Sequence, residues 1–240
     1  MKKIAGIVLS AALLLAFMAC HSGVPQGAYV EADELIIADD DGVFEDLIDD
    51  NPPSDEPAGI FSGLESGERY GEITHVVIHF MSNVIENRVN PYILADIERI
   101  FLDYGLSAHY IIDRDGIVYF AVPEDRVAFH AGVGTLADFP AYEDNLNQHS
   151  IGIELLGIGT REEMSPFLTA YEYDALDPSL IGFTEAQYEA LNWLLNSILA
   201  RHPGVLPNRT HIIGHSEYAP YKTDPGELFE WERLDFMNRP

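Results

Sequence analysis

The sequence is nearly without cysteine. Its one thiol is Cys20, so no intrachain disulfide can form, and the fold must be held by its core or by a metal. Basic residues are almost as scarce. Thirteen Lys and Arg stand against 40 Asp and Glu, a formal net charge of −27. Such a surface repels phosphate backbones, which excludes nucleic acid as a partner. It also repels anionic headgroups, which excludes membrane binding by surface charge. Long apolar runs are missing after the first twenty residues, and no internal repeat is present.

The beginning of the chain has a different texture. Met1-Lys2-Lys3 is a short basic segment, and Ile4 to Ala19 is almost unbroken apolar sequence. That run falls short of the roughly 20 apolar residues of a spanning helix and reads as a secretory signal peptide. It ends Phe17-Met18-Ala19-Cys20, which resembles a bacterial lipobox, with a small residue before an acceptor cysteine. The resemblance implies cleavage before Cys20, acylation of its thiol and an anchored protein, since two or more acyl chains hold a protein where one does so only marginally. The expected location is the cell envelope, outside the cytoplasmic membrane. Peptidoglycan is the most abundant large substrate there.

Between His21 and Glu68 there is no Lys or Arg. Acidic clusters (Asp39-Asp40-Asp41, Asp49-Asp50, Asp55-Glu56) alternate with Pro52, Pro53 and Pro57. Low hydrophobicity with one sign of charge does not bury enough apolar area to offset ordering entropy. The expected division is therefore residues 1–20 as signal, 21–66 as an acidic flexible tether and 67–240 as one folded domain.

Within that domain, residues 73–80 (Ile-Thr-His-Val-Val-Ile-His-Phe) are rich in β-branched side chains and predict a buried strand. Asn90-Pro91 predicts a helix start and Gly105 its end. Residues 108–112 and 117–122 predict a hairpin about Arg114-Asp115-Gly116, and residues 150–156 a further apolar strand. Thr184 and Gln187 form a capping box for a long helix to Arg201, whose Tyr188, Leu191, Leu194, Leu195, Ile198 and Leu199 make a core-facing stripe. Thr210 to Ile213 predicts one more strand. The class is α/β, a single mixed central sheet flanked by helices. Residues 159–181 read as a variable loop carrying Arg161, Phe167, Tyr171 and Tyr173.

Four stretches hold the chemistry. They are His79 at the end of a buried strand, Phe129-His130-Ala131-Gly132, Glu154 inside an apolar strand, and His215 followed by Lys222-Thr223-Asp224-Pro225-Gly226. A buried histidine alone is usually a satisfied core residue. An unpaired carboxylate in an apolar strand costs several kcal/mol, on the order of what a partner or a function must offset. Together the stretches supply the inventory of a catalytic zinc site: ligands, a base and a cation. His211 and His215 share the i, i+4 spacing of helical zinc motifs. On a strand that spacing spans roughly 13 Å, too far to share an ion, so His211 is read as structural.

In this order the stretches resemble the zinc amidases that include phage-lysozyme-type N-acetylmuramoyl-L-alanine amidases, cytosolic anhydro-muropeptide amidases and animal peptidoglycan recognition proteins. The likeness covers about residues 70–235 and includes Ser107-Ala108-His109-Tyr110, Asp115-Gly116, Asn147 and the closing run from His215 through Ala219-Pro220 and Lys222 to Gly226, Phe229 and Trp231. It implies that His79, His215 and Asp224 hold one Zn2+ per chain, that Glu154 is the base and that Lys222 stabilises the oxyanion. It places His130 in the substrate groove, and Asn147 and His109 are taken with it as substrate contacts. The implied reaction is cleavage of the amide between the lactyl group of N-acetylmuramic acid and L-alanine, by a monomer acting on peptidoglycan or muropeptides. Two alternatives stay open: a non-catalytic peptidoglycan-binding lipoprotein, and a zinc hydrolase of another cell-wall amide. Phe80 stands where relatives often carry a polar residue, and the interval from His215 to Asp224 is one residue shorter than in the cytosolic amidases.

Overall fold

The computed structural model describes Phe61 and residues 63–238. The expected signal segment, Cys20 and nearly all of the expected tether lie outside the described residues.

In chain order the strands are β1 (Ser66–Glu68), β2 (His75–Met81), β3 (Tyr110–Ile112), β4 (Val118–Phe120), β5 (Arg126–Ala128), β6 (Ser150–Leu156) and β7 (Ile212–Gly214). The helices are α1 (Leu94–Tyr104), α2 (Arg161–Met164), α3 (Ala170–Asp174), α4 (Glu185–Arg201) and α5 (His215–Tyr218), with several single 3-10 turns. Five strands form one mixed sheet in the order β4-β3-β6-β2-β7, and β1 pairs with β5 in a separate ribbon. The contacts β3–β6, β6–β2 and β2–β7 are parallel, and β4 is antiparallel at the edge. This is the expected α/β arrangement.

Successive side chains of a strand point to opposite faces. On one face of the sheet, Val76, Ile78, Tyr110, Ile112, Ile151, Ile153, Leu155 and Ile212 pack with Tyr188, Leu191, Leu194, Leu195 and Ile198 of α4. The Thr184 hydroxyl accepts from the Gln187 amide, and the Gln187 side chain accepts from the Thr184 amide, closing the expected capping box. The opposite face presents the other half of β2 and β6. The register places His75 beside Ser150, Val77 beside Gly152, His79 beside Glu154 and Met81 beside Leu156. One end of this face is covered by Ile97 and Phe101 of α1 over Ile111 and Leu156. Further along it, Ala131, Leu146, Tyr218 and Ala219 cover Val77 and Ile213. His79 and Glu154 lie between the two clusters.

Three expectations are corrected. Helix α1 begins at Leu94, not at Pro91, because the Pro91 carbonyl accepts the Asn83 amide and the Asn87 side chain accepts the Asn90 amide, closing turns there. Its end is as expected, with Gly105 left-handed at φ 60°. The segment 159–181 is built, not loose. Thr160 with Glu163 and Thr169 with Glu172 form capping boxes that start α2 and α3, and Met164, Leu168 and Leu176 are buried against Ile158 and Val84. The packed domain also reaches upstream of residue 67. Phe61 is buried, edge-on to Phe101 at 6.4 Å and to Tyr119 at 5.8 Å, and Leu64 packs on the same cluster.

Candidate active site

Ligand sites in open α/β sheets lie beyond the carboxyl ends of parallel strands. His79 stands near that end of β2, with Glu154 its register partner on β6. The neighbouring strand β7 stops at Gly214, and the chain turns at once into α5, so that His215 is placed directly past a strand end. The expected strand at 210–213 is thus shifted, with His211 in the preceding turn. The loop after α5 folds back, and the Ser216 amide donates to the Asp224 carbonyl at 3.0 Å. A Cβ on residue 214 would stand 2.5 Å from Pro225 Cδ, so only glycine lets this loop close and bring Asp224 beside His215.

The three side chains meet. His79 Nδ1 lies 2.7 Å from Asp224 Oδ2 and 3.1 Å from His215 Nδ1, and His215 Nδ1 is 3.0 Å from the same carboxylate oxygen. All three residues are buried, and they form the one His/Cys/Asp/Glu group among the described residues that could hold a metal ion. The far nitrogen of His215, Nε2, donates to the Ala131 carbonyl at 2.9 Å. A neutral ring with its proton there presents Nδ1 as a lone pair.

Electrostatics separates the two acids. Burial alone would raise the Asp224 carboxyl, but charge and hydrogen bonding from His215 and then His79, when those rings carry protons toward it, hold it well below the usual carboxylate range. Glu154 moves the other way: burial first, then the charge of Asp224, push its carboxyl well above the ordinary value, with Lys222 partly opposing. Its Oε2 is buried without a hydrogen-bond partner. Burial lowers the Lys222 ammonium, and the charges of Asp224 and Glu154 partly restore it. Burial, then the neighbouring His215, lower the His79 imidazole to about 4.

The other expected site residues have different places. His130 is buried, with Nδ1 3.0 Å from His79 Nε2 and Nε2 3.2 Å from Ser150 Oγ, so both ring nitrogens have protein partners. The Asn147 side-chain oxygen accepts the amides of His130 and Ala131 at 3.2 and 2.8 Å, which commits it to holding that turn. His109, the third expected substrate contact, lies in the interior. Its ring is fully enclosed, Nδ1 accepts the Gly152 amide at 3.0 Å, and Nε2 lies 3.2 Å from the Arg126 carbonyl and 2.9 Å from the Arg69 guanidinium. His211 is structural, as expected: it is bonded through Nδ1 to the Thr74 carbonyl and stacked on His75. Sequence reading missed Arg69, which donates to the carbonyls of Arg126, Gln148 and Ser150 and ties β5 to the start of β6. It also missed the parts of Ser150 and the Ala131 carbonyl. The available signal was small residues in a strand otherwise of large apolar ones, Ser150 and Gly152.

Comparison with known proteins identifies the family. A family model of N-acetylmuramoyl-L-alanine amidases matches residues 69–227. The chain is 35% identical over 136 residues to the 1,6-anhydro-N-acetylmuramyl-L-alanine amidase AmpD of Citrobacter freundii, covering 56% of this chain and 58% of that protein. It is 30% identical over 155 residues to AmpD of Haemophilus influenzae, covering 64% and 67%. Among solved structures, a selenomethionine derivative of AmpD superposes with a TM-score of 0.51 at 29% identity, over 70% of this chain and 87% of that one. The amidase AmiD from E. coli, solved with its substrate anhydro-N-acetylmuramic acid-L-Ala-D-gamma-Glu-L-Lys, gives a TM-score of 0.50 at 27% identity, over 72% and 60%. The family match spans most of the described domain and contains every residue of the site, and the chain belongs to the N-acetylmuramoyl-L-alanine amidase family.

Proposed function

We propose that the protein is a zinc-dependent N-acetylmuramoyl-L-alanine amidase that hydrolyses the amide joining the lactyl group of N-acetylmuramic acid to L-alanine of the stem peptide. The observation that carries this reading is the meeting of His79, His215 and Asp224 beside a free, buried Glu154 carboxylate. Family membership and the activity named for the AmpD relatives support it.

The residues fit a zinc ion. Two imidazole nitrogens and one carboxylate oxygen are an ordinary zinc donor set. Their separations of 2.7 to 3.1 Å are close to the roughly 3.3 Å edge of a tetrahedron with bonds of about 2.0–2.1 Å. The His215 ring is turned by Ala131 so that its lone pair faces the others. Bound there, zinc would supply Lewis acidity, polarising a carbonyl and making water acidic near neutral pH.

The chain's own groups do the rest. Glu154 accepts the proton of the attacking water, because its Oε2 has no competing donor and burial raises the proton affinity of its carboxylate. It returns that proton to the leaving amine of L-alanine. Lys222, held near the two carboxylates, faces the negative charge growing on the carbonyl oxygen. Asp224 cannot exchange roles with Glu154, since its carboxylate is committed to the two histidines.

The test is digestion of purified peptidoglycan and of anhydro-muropeptides, with fragments read by mass spectrometry. Free stem peptides beginning with L-alanine are expected, and a chelator abolishes them. Binding without release would favour a recognition protein, and cleavage inside the stem would mean another amide. The cellular setting is part of the same proposal: acylation at Cys20 anchors the enzyme in the envelope, supported by the basic start, the apolar run and Ala19 before the cysteine. Cys20→Ala should move the protein from the membrane fraction to the soluble one.

A further inference from the structure

We infer that the dipeptide His130-Ala131, braced by Ser150 and Asn147, sets the proton positions of both histidines of the site, with His130 a positioning residue that holds the His79 proton on Nε2. The inference rests on the metal-binding reading of His79, His215 and Asp224.

One group in this cluster has a role that cannot be reversed. The Leu146 carbonyl only accepts, and the Ser150 hydroxyl lies 2.8 Å from it, so the single hydroxyl proton is spent there. Ser150 Oγ then faces His130 Nε2 at 3.2 Å as an acceptor, and His130 must donate from Nε2. The His130 ring is buried with no carboxylate among its hydrogen-bond partners, so it is neutral and its Nδ1 carries a lone pair. That lone pair lies 3.0 Å from His79 Nε2, which therefore holds the His79 proton. The His79 Nδ1 lone pair is left facing His215 and Asp224.

His215 reaches the same state in one step, through the Ala131 carbonyl. Adjacent residues thus orient both rings, one by its side chain and the next by its backbone. Asn147 Oδ1 accepts both of their amides and fixes the pair together. The ring of His130 packs against Gly152 of β6. A Cβ on residue 152 would stand 2.4 Å from His130 Cγ and 2.8 Å from Nδ1, so Gly152 is the space the ring occupies. The outcome is three acceptors, two Nδ1 and one Oδ2, within 3.1 Å of one another and with no hydrogen among them. Only a cation satisfies such a group. Outer partners of this kind typically change metal affinity by roughly 10–100-fold.

The reverse chain would send the Ser150 proton to His130 Nε2, give up the Leu146 carbonyl and put the His79 proton on Nδ1, toward Asp224. The two differ by one observable. In the metal-free full-length protein, 15N-labelled and read by two-bond 1H–15N correlation of the imidazoles, His79 is expected to carry its proton on Nε2. A proton on Nδ1 would overturn the inference. Zinc affinity, measured by competition with a chromophoric chelator, is expected to fall roughly 10–100-fold in Ser150→Ala and in His130→Phe. Unchanged affinity in both would also overturn it. If His130→Phe does not fold, Ser150→Ala decides alone, since it removes one hydroxyl from a strand. Wild-type protein that binds zinc with the His79 proton on Nε2 yet releases no stem peptides would refute the amidase reading and leave this one standing.

Discussion

Replacing Glu154 by Gln separates what this carboxylate does for catalysis from what it does to the fold. The side chain sits in register with His79, buried, with Oε2 unpartnered. Loss of a general base costs about 10²- to 10⁴-fold in rate, which is about 2.7–5.4 kcal/mol of barrier. Stability moves the other way. The folded-state pKa of Glu154 is raised, so the unfolded chain gives up this proton first. Stability therefore falls as pH rises through the unfolded value of about 4.3 toward the folded one, and at neutral pH the group is a net cost. Gln is uncharged at every pH and removes that cost. An unsatisfied buried polar group is worth about 1–3 kcal/mol, and the nearby Lys222 places the gain toward the lower end. At about 2–4 °C per kcal/mol for a chain of this size, metal-free Glu154→Gln should melt a few degrees higher at pH 7, while its release of stem peptides nearly vanishes. Scanning calorimetry and fragment analysis on the same preparations check both. Retained cleavage would remove Glu154 from the base role. A lower melting temperature would mean that the carboxylate has a partner in the fold.

Further outcomes follow from other parts of the molecule. Gly152→Ala places a methyl 2.4 Å from the His130 ring; it should weaken zinc binding more than global stability, and chelator competition beside a denaturant titration would reveal equal losses if the ring were merely packed. Burial, then His211 and His149, lower His75 to about 4, and burial, then Arg69, lower His109 to about 3. Both fold neutral while the unfolded chain protonates near pH 6.5, so stability is complete above that pH and is lost as pH falls toward 4 and 3; a flat melting temperature from pH 7 to 4 would contradict this. Phe61→Ala should cost about 3–5 kcal/mol if the buried ring is part of the domain core, measured by urea unfolding, and a change within error would place the domain start downstream of it.

The sequence by itself determined the class of fold and the chemical inventory of the site. The β-branched run at 75–80 and the apolar run at 150–156 predict buried strands. The Thr184 capping box and the stripe on α4 are periodic, local signals, and the boxes at Thr160 and Thr169 were equally legible although the segment was read as a loop. A carboxylate inside an apolar strand announces itself because its burial is costly wherever the strand sits. Which atoms face which is another matter. His130, Asn147 and His109 looked alike as polar residues near the site, and only the tertiary structure separated them. The ring nitrogens of the two histidines and the side-chain oxygen of Asn147 are distinguished by partners 16 to 51 residues away in the chain. The same holds for Phe61, whose place in the core depends on Phe101 and Tyr119. Periodicity records what a residue needs from its immediate neighbours. Proton positions, and the orientation of a ring against Gly152, depend on distant groups brought to hydrogen-bond distance, 3.0 and 3.2 Å for the two nitrogens of His130, and no local pattern encodes those.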